Sequence, residues 1–206
     1  MEKRTDEELV QAYREGEDAA FPTLIRRHHA DLLRFLVRLT GNAAVAEDAF
    51  QETFLQVHLS AESFDTTRRF KPWLFTIAAN KARDALRRSS RRKTLDLSAP
   101  ISGGRGGGGG GGDGQGQTYV DLMEIDVPAP GDAMDDEERN RLVQQALDGM
   151  PHALREILLL AYFQRMSYNQ VADALDIPLG TVKSRLHSAV AAFARRWKTV
   201  SKGYSE

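Results

Sequence analysis

The sequence predicts an all-α protein with two small helical domains joined by a flexible glycine-rich linker. No stretch alternates apolar and polar residues as a half-buried strand would, whereas apolar residues recur at helical spacing on both sides of a central run. That run, residues 103–116, has 11 glycines in 14 positions and offers almost nothing to bury. We therefore expect domains over residues 1–93 and 132–206, with a linker over residues 94–131.

Local signals divide the first domain into helices. Thr5, followed three residues later by Glu8, predicts a capping box at the start of the first helix. Gly41 supplies a helix stop, and Asn42 supplies a new N-cap directly after it. Pro72 is tolerated in a first helical turn and opens a further helix. The predicted helices cover residues 21–39, 43–59 and 72–92.

A helix-turn-helix is predicted near the end of the sequence, after a helix over residues 151–163 that Pro151 opens. Ser167 and Gln170 form a capping box for a short helix that ends at Leu175, and a second helix follows over residues 179–197. Its outer face carries Thr181, Lys183, Ser184, His187 and Ser188. Such a helix is suited to the DNA major groove, and a plain helical hairpin is the alternative.

Composition limits the classes of protein that fit. The chain has 206 residues, of which 41% are hydrophobic and 28% charged, so it can bury a core. Without cysteine it has no disulfide, thiolate metal site or cysteine nucleophile, and a cytoplasmic location is expected. The longest apolar run, residues 157–163, is far shorter than the ~20 residues that span a bilayer. We expect neither a signal peptide nor a membrane helix.

The net charge of −1 conceals a strong division along the chain. Residues 66–93 carry 10 basic residues and one acidic residue, and residues 139–206 carry 10 basic and 5 acidic residues. Between them, residues 113–138 carry nine acidic residues and no basic one. Two basic blocks separated by an acidic segment indicate that the chain binds a polyanion at two separate surfaces, although two solvated helix faces would give the same pattern.

The helix over residues 72–92 has a polar, basic face that includes Trp73, Asn80, Arg83 and Arg87. An indole beside guanidinium groups suits unpaired bases better than intact duplex, because bases stack on aromatic rings. A buried core tryptophan is the alternative for Trp73. The preceding loop, residues 63–70, has aromatic ends and a basic centre, and could hold an extruded base.

The helix over residues 43–59 directs carboxylates and two leucines away from its apolar face. The outward residues are Glu47, Asp48, Gln51, Glu52, Leu55, His58 and Leu59. Leucines among carboxylates on an outer face indicate a protein-docking surface. Magnesium ligation by Glu47, Asp48 and Glu52 is the alternative, but these carboxylates lack a companion cluster and the five histidines have no metal-ligand spacing.

Several motifs resemble the bacterial sigma-70 family of transcription factors. The segments AEDAFQETF (residues 46–54) and WLFTIAAN (residues 73–80), with the residues that follow up to Arg88, resemble its region 2. The segments MPHALRE (residues 150–156), SYNQVA (167–172) and GTVKSR (180–185) resemble its region 4. With only these two regions, the chain is similar to the extracytoplasmic function (ECF) group.

The resemblance implies a role for each face. Docking on the β′ clamp helices of core RNA polymerase would use Glu47, Asp48, Gln51, Glu52 and Leu55. Recognition and melting of the promoter −10 element would use Phe64, Arg68, Arg69, Trp73, Asn80, Arg83, Asp84 and Arg87. Readout of the −35 element, beside a contact with the β flap, would use Thr181, Lys183, Ser184, Arg185, His187 and Ser188. An anti-sigma factor is a further partner that the resemblance admits.

The function that we expect is promoter recognition as a subunit of RNA polymerase. No catalytic residue, metal or cofactor is expected. Two alternatives remain open from the residues alone: a free-standing helix-turn-helix transcriptional regulator, and a metal-dependent nuclease or recombinase that uses the acidic helix.

Overall fold

The fold is seen in a computed structural model, which describes residues 4–95 and 136–201, with side chains described over residues 4–89 and 137–201. Throughout the described ranges the regular structure is helical, which confirms the predicted all-α class. The chain divides into two compact units between residues 106 and 107. The linker was predicted to begin at residue 94, but residues 94 and 95 are the end of a helix that runs to Leu95, and residues 96–131 lie outside the described residues.

The first unit is a bundle of four helices. They are α1 (Asp6–Arg14), α2 (Ala20–Thr40), α3 (Ala43–Ser60) and α4 (Phe70–Leu95), with a short 3₁₀ helix (Ala61–Ser63) after α3. The predicted Thr5/Glu8 capping box opens α1. Gly41 ends α2 in the left-handed conformation at φ 67°, and the Asn42 side chain accepts a hydrogen bond from the Val45 N–H at 3.1 Å. These local predictions are confirmed.

The core of the first unit forms where α2, α3 and α4 pack on one another. Phe35 and Phe75 are almost fully buried and meet edge to face, with ring centroids 5.2 Å apart. From α3, the predicted apolar face contributes Ala46, Ala49, Phe54 and Val57 to this core. The opposite side of α3 is thereby turned to solvent.

The predicted start of the fourth helix is wrong by two residues, because α4 begins at Phe70 rather than Pro72. The Phe70 N–H donates to Oε1 of Glu7, on α1, at 2.9 Å. An N–H in the first helical turn has no partner within its own helix, so a carboxylate from another helix can satisfy it. Pro72 still lies in the first turn, where its missing N–H costs nothing.

The second unit contains four further helices and a π-helical turn. They are α5 (Asp136–Asp148), α6 (His152–Leu158), α7 (Tyr168–Leu175) and α8 (Leu179–Ser201), and the π-helical turn covers Leu159–Phe163. The Ser167/Gln170 capping box is confirmed at α7, and Asp176 ends α7 in the left-handed region at φ 51°. The prediction of one α-helix over residues 151–163 is wrong, since Pro151 is the N-cap and the α-helical part stops at Leu158.

The predicted helix-turn-helix is therefore α7, a tight turn and α8. The inner face of α8 is held by Val182, Leu186 and Trp197, and Trp197 packs with Leu142 and Ala146 of α5. This packing fixes which side of α8 faces outward. Among the helices of the described ranges, none is both long and apolar enough to cross a membrane.

Candidate nucleic-acid interface

The loop between α3 and α4 is built around a cluster of three aromatic rings. The Phe64 ring centroid lies 4.6 Å from that of Trp73 and 5.9 Å from that of Phe70, and Trp73 and Phe70 are 5.8 Å apart. Phe64 and Phe70 are 5% and 0% exposed, whereas Trp73 is half-buried. Phe64 was predicted to contact DNA, but its ring is buried against Phe70 and Trp73.

The tip of the same loop is a turn organised by Asp65. Its Oδ1 accepts hydrogen bonds from the backbone N–H and the hydroxyl of Thr67, at 3.0 and 2.7 Å. These hydrogen bonds, together with the nearby Arg68 charge, lower the pKa of the Asp65 carboxyl, which stays ionised. Arg68 lies 3.7 Å from Asp65 in an exposed ion pair that contributes little to stability. Arg68 and Arg69 are both exposed, so the loop presents two guanidinium groups to solvent.

One face of α4 carries a row of polar side chains at helical spacing. Asn80 accepts a hydrogen bond from Arg83, and Arg87 donates to Oδ1 of Asp84 at 3.0 Å. Asn80, Asp84 and Arg87 are exposed, and Arg83 is half-buried. Because residues three and four apart lie side by side on a helix, the four side chains form one continuous strip. The structure thus brings Asn80, Arg83, Asp84 and Arg87 together on one face of α4.

The outer side of α3 is acidic and unusually apolar for a solvent-facing helix. Glu47, Asp48 and Gln51 are exposed, and Leu55 is 58% exposed. Leu59, one turn further along, is 67% exposed. A surface of this kind, with large apolar side chains within a rim of charge, is typical of a protein interface.

Glu52 is placed differently from the other predicted docking residues. Its Oε1 accepts a hydrogen bond from the Arg88 guanidinium of α4 at 2.6 Å. Arg88 is a residue that sequence reasoning did not pair with α3, since 36 positions separate it from Glu52. Within the described part of the chain, no three His, Asp or Glu side chains converge as they would to hold a metal ion.

On α8, four of the predicted residues face solvent together: Lys183, Ser184, His187 and Ser188. The Ser184 hydroxyl donates to the carbonyl of Thr181 at 3.2 Å, and the Ser188 hydroxyl donates to that of Ser184 at 3.1 Å. Thr181 and Arg185 are only half-exposed. Arg185 lies two residues beyond Lys183, which turns it about 200° around the helix axis. It points away from Lys183 but, three positions before Ser188, lies beside that residue at the edge of the exposed group.

Comparisons with known proteins agree with this division into two units. The family model for sigma-70 region 2 matches residues 24–92, and the model for sigma-70 region 4 matches residues 140–193. The ECF RNA polymerase sigma factor SigL of Mycobacterium tuberculosis is 35% identical over 178 residues, covering 86% of this chain and 88% of that protein. The ECF sigma factor SigW of Bacillus subtilis is 28% identical over 187 residues, covering 91% and 94%.

A solved structure has a similar fold. The sigma factor RpoE of Bartonella quintana, in complex with the anti-sigma factor NepR, matches with a TM-score of 0.61 at 22% identity, covering 86% of this chain and 96% of that chain. The family models and relatives show that the chain belongs to the ECF group of the sigma-70 family. It is an RNA polymerase sigma factor, which works with core polymerase and promoter DNA.

The prediction of family and function made from the motifs is confirmed by these matches. The free-standing regulator and the nuclease are not favoured by any of them. The family is a regulatory one rather than a family of enzymes.

Proposed function

We propose that the two units divide the work of promoter recognition. The first domain, predicted over residues 1–93, docks on core polymerase and opens the −10 element. The second, predicted over residues 132–206, reads the −35 element, and residues 94–131 connect them. The observation that carries this proposal is the contrast between faces in the first unit, where α3 is acidic and apolar outward and α4 is basic and polar.

The α3 face is proposed to bind the β′ clamp helices. Leu55 and Leu59 supply apolar surface, and Glu47, Asp48 and Gln51 supply the polar rim that gives orientation. Glu52 contributes less directly, because its carboxylate is already bonded to Arg88. If docking broke the Arg88–Glu52 ion pair, the binding free energy gained from a new ion pair to Glu52 would be largely offset by the loss of the old one. Both side chains are partly exposed, so each ion pair contributes little.

The α4 face and the preceding loop are proposed to bind the opened −10 element. Trp73, half-buried and in contact with Phe64, offers a stacking surface, and the exposed Arg68 and Arg69 add positive charge in the preceding loop. The strip of Asn80, Arg83, Asp84 and Arg87 continues the same surface along α4, where the upstream end of the element would lie. Stacking of each unpaired base contributes about 1–3 kcal/mol, which offsets part of the cost of unpairing.

The outer face of α8 is proposed to read the −35 element. Lys183 can donate to guanine O6 or N7 in the major groove, whereas Ser184 and Ser188 are short side chains that accept several bases. Thr181 stands near the start of α8, and His187 lies within the exposed group. Arg185, half-exposed beside Ser188 at the edge of this group, is proposed to contact the same DNA. The β flap contact that the family resemblance implies belongs to this same unit.

We further infer that the protein has no catalytic activity of its own and acts in the cytoplasm, where promoter DNA and polymerase are found. An anti-sigma factor is proposed as a second partner, as NepR is for the similar RpoE protein. The exposed leucines of α3 would give such a partner apolar surface to cover.

The proposal is tested by promoter opening with reconstituted holoenzyme. Trp73→Ala and Asn80→Ala should slow open-complex formation on linear duplex DNA, and a template already unpaired at the −10 element should partly restore the rate. Permanganate reactivity of unpaired thymines measures the opening directly. Arg26→Ala, an exposed cation of α2, serves as a control that removes surface charge elsewhere. Wild-type opening rates for both variants on duplex DNA would contradict the assignment of this face.

A further inference from the structure

The loop before α4 is bonded at both of its ends to side chains of α1. At the first loop residue, the Phe64 carbonyl accepts a hydrogen bond from Nη1 of Arg14 at 3.3 Å. At the last, the Phe70 N–H donates to Oε1 of Glu7 at 2.9 Å. Arg14 and Glu7 precede the loop residues that they contact by 50 and 63 positions. One short helix therefore fixes the backbone both where the loop begins and where it ends.

The helix that carries these two side chains is itself anchored in the first unit. Leu9 and Val10 are buried, so the apolar side of α1 belongs to the core. Asp6, in the first turn of α1, accepts a hydrogen bond from Nε2 of His28 on α2 at 2.7 Å. Packing and hydrogen bonding thus keep α1 in place, and α1 is a rigid support for the loop.

Arg14 also contacts the chain just before the loop. Its Nε lies 3.6 Å from Oε2 of Glu62, in the 3₁₀ helix that follows α3. The Glu62 side chain is largely exposed, so this ion pair contributes little to stability. A guanidinium group has several N–H donors, which allows Arg14 to contact Glu62 and the Phe64 carbonyl together. These contacts define the direction in which the chain leaves the 3₁₀ helix.

Between its two ends the loop forms a turn of its own. The Arg68 N–H donates to the Asp65 carbonyl at 3.0 Å, and the Asp65 carboxylate accepts two hydrogen bonds from Thr67. These local contacts give the tip its shape, but they do not determine where the tip lies relative to α4. Burial of the Phe64 and Phe70 rings and the two hydrogen bonds from α1 determine that position.

We propose that Glu7 and Arg14 are positioning residues for the −10 element, which hold residues 64–70 in the conformation that receives the unpaired base. Neither side chain would touch DNA. A loop that is already ordered loses less conformational freedom on binding, and this raises its affinity. The inference rests on the proposed function, because it needs a base that enters this loop. Both residues lie outside the match to the region 2 family model, which begins at residue 24.

The charge of Glu7 separates positioning from a direct electrostatic effect on DNA. A carboxylate close to the strand repels phosphates, so its removal should strengthen binding whichever residue replaces it. Glutamine keeps a side-chain oxygen that can accept from the Phe70 N–H, whereas alanine leaves that N–H without its partner. If Glu7 acts by positioning, Glu7→Gln should retain binding of the base and Glu7→Ala should lose it.

The test measures the contribution of each base with holoenzyme and a fork-junction DNA whose −10 strand is single-stranded. Wild type, Glu7→Ala, Glu7→Gln and Arg14→Ala are titrated with complete DNA and with DNAs that carry one abasic site at successive −10 positions. The ratio of the abasic Kd to the complete Kd reports the contribution of that base. Glu8→Ala is the control, because it removes an exposed carboxylate of the α1 capping box and no contact with the loop.

At one position, the wild type should show a base contribution of about tenfold. Glu7→Ala and Arg14→Ala should bind complete DNA about fivefold more weakly, but abasic DNA no more weakly than the wild type does, so that the ratio falls to about twofold. Glu7→Gln and Glu8→Ala should keep the wild-type ratio. The salt-dependence slope should be unchanged for Arg14→Ala, since a lost phosphate contact would lower it by about 0.7.

Three results would overturn the inference. Wild-type ratios in Glu7→Ala and Arg14→Ala would remove the role of α1, and a reduced ratio in only one of them would show that the loop is not positioned from both ends. Equal losses on complete and abasic DNA would show that the side chain does not act through the base.

Far-ultraviolet circular dichroism and thermal unfolding check that each variant folds. Glu7→Met and Arg14→Met, which keep the length of the side chain without its hydrogen bond, replace any alanine variant that does not fold. The wild type separates the two proposals. If its affinity is unaffected by an abasic site at every −10 position, the proposed function of the loop is wrong, whereas a normal wild-type ratio with unchanged variants removes only the role of Glu7 and Arg14.

Discussion

Truncation of the two exposed leucines of α3 should weaken polymerase binding without affecting the fold. Leu55 and Leu59 are 58% and 67% exposed, so Leu55→Ala/Leu59→Ala removes little that the isolated unit has buried. Substitutions at exposed positions usually change stability by less than about 0.5 kcal/mol. Leu36→Ala, on the buried side of α2 at 0% exposure, should instead destabilise the protein by about 2–5 kcal/mol.

The expected loss of affinity follows from the area that docking would cover. Full burial of a leucine side chain contributes about 1.5–3 kcal/mol, and somewhat more than half of each side chain is still available for burial here. Truncation to alanine keeps the Cβ atom, so each substitution should cost about 1–1.5 kcal/mol of binding free energy. Together they correspond to about 2–3 kcal/mol, or about a 30- to 150-fold rise in Kd.

The assay is fluorescence anisotropy of labelled protein titrated with core polymerase at two salt concentrations. The apolar loss should persist at high salt, whereas losses from Asp48→Asn should shrink there because salt screens exposed charges. Thermal unfolding of each variant shows whether the fold is intact. Equal Kd values for wild type and the double leucine variant, with both folded, would show that this face does not dock on polymerase.

Three further predictions concern acid stability and DNA readout. Burial raises the pKa of the Asp6 carboxyl, but hydrogen bonds from His28 and Arg27 outweigh burial and leave the net pKa below its ordinary value of 3.8. The stability that Asp6 contributes should therefore be present above about pH 4 and be lost as the pH falls through the lowered pKa. Below pH 4, the free energy of unfolding in urea should depend less on pH for Asp6→Asn than for Asp31→Asn. Lys183→Ala should relax base preference at one or two −35 positions by about 1–3 kcal/mol, and Ser188→Arg should sharpen that preference. Binding selection on randomised DNA measures both effects, and identical preferences for wild type and Lys183→Ala would exclude direct readout by the lysine side chain. Arg195→Ala and Arg196→Ala should each weaken binding to all sequences alike and lower the salt-dependence slope by about 0.9, because both side chains are exposed farther along α8.

Helix boundaries could be predicted from the sequence where the signal lies within a few residues. The capping boxes at Thr5 and Ser167 and the cap at Asn42 are contacts between residues three apart, so they form as predicted. The start of α4 could not be found in this way. Its first turn is satisfied by Glu7, 63 positions earlier, and no local pattern marks that partner.

In the candidate site, too, contacts between residues far apart in the sequence could not be predicted from local patterns. A helical wheel predicts that Trp73 and Glu52 point outward, whereas both are half-buried in the structure. The wheel does not predict that the loop folds back to place Phe64 against Trp73, or that Arg88 reaches Glu52 from the neighbouring helix. Local periodicity thus predicts which face a residue occupies, whereas long-range packing decides how much of that face remains available.

Transcription in vitro shows whether two units of one chain read two elements of one promoter. Core polymerase and this protein would transcribe a library in which the upstream DNA is randomised, and the transcribed templates would be sequenced. We expect two enriched sequence blocks at a fixed separation, with only the upstream block altered by Lys183→Ala. A single enriched block, or transcription that does not depend on the protein although it binds core polymerase, would show that the two units do not divide promoter recognition in this way.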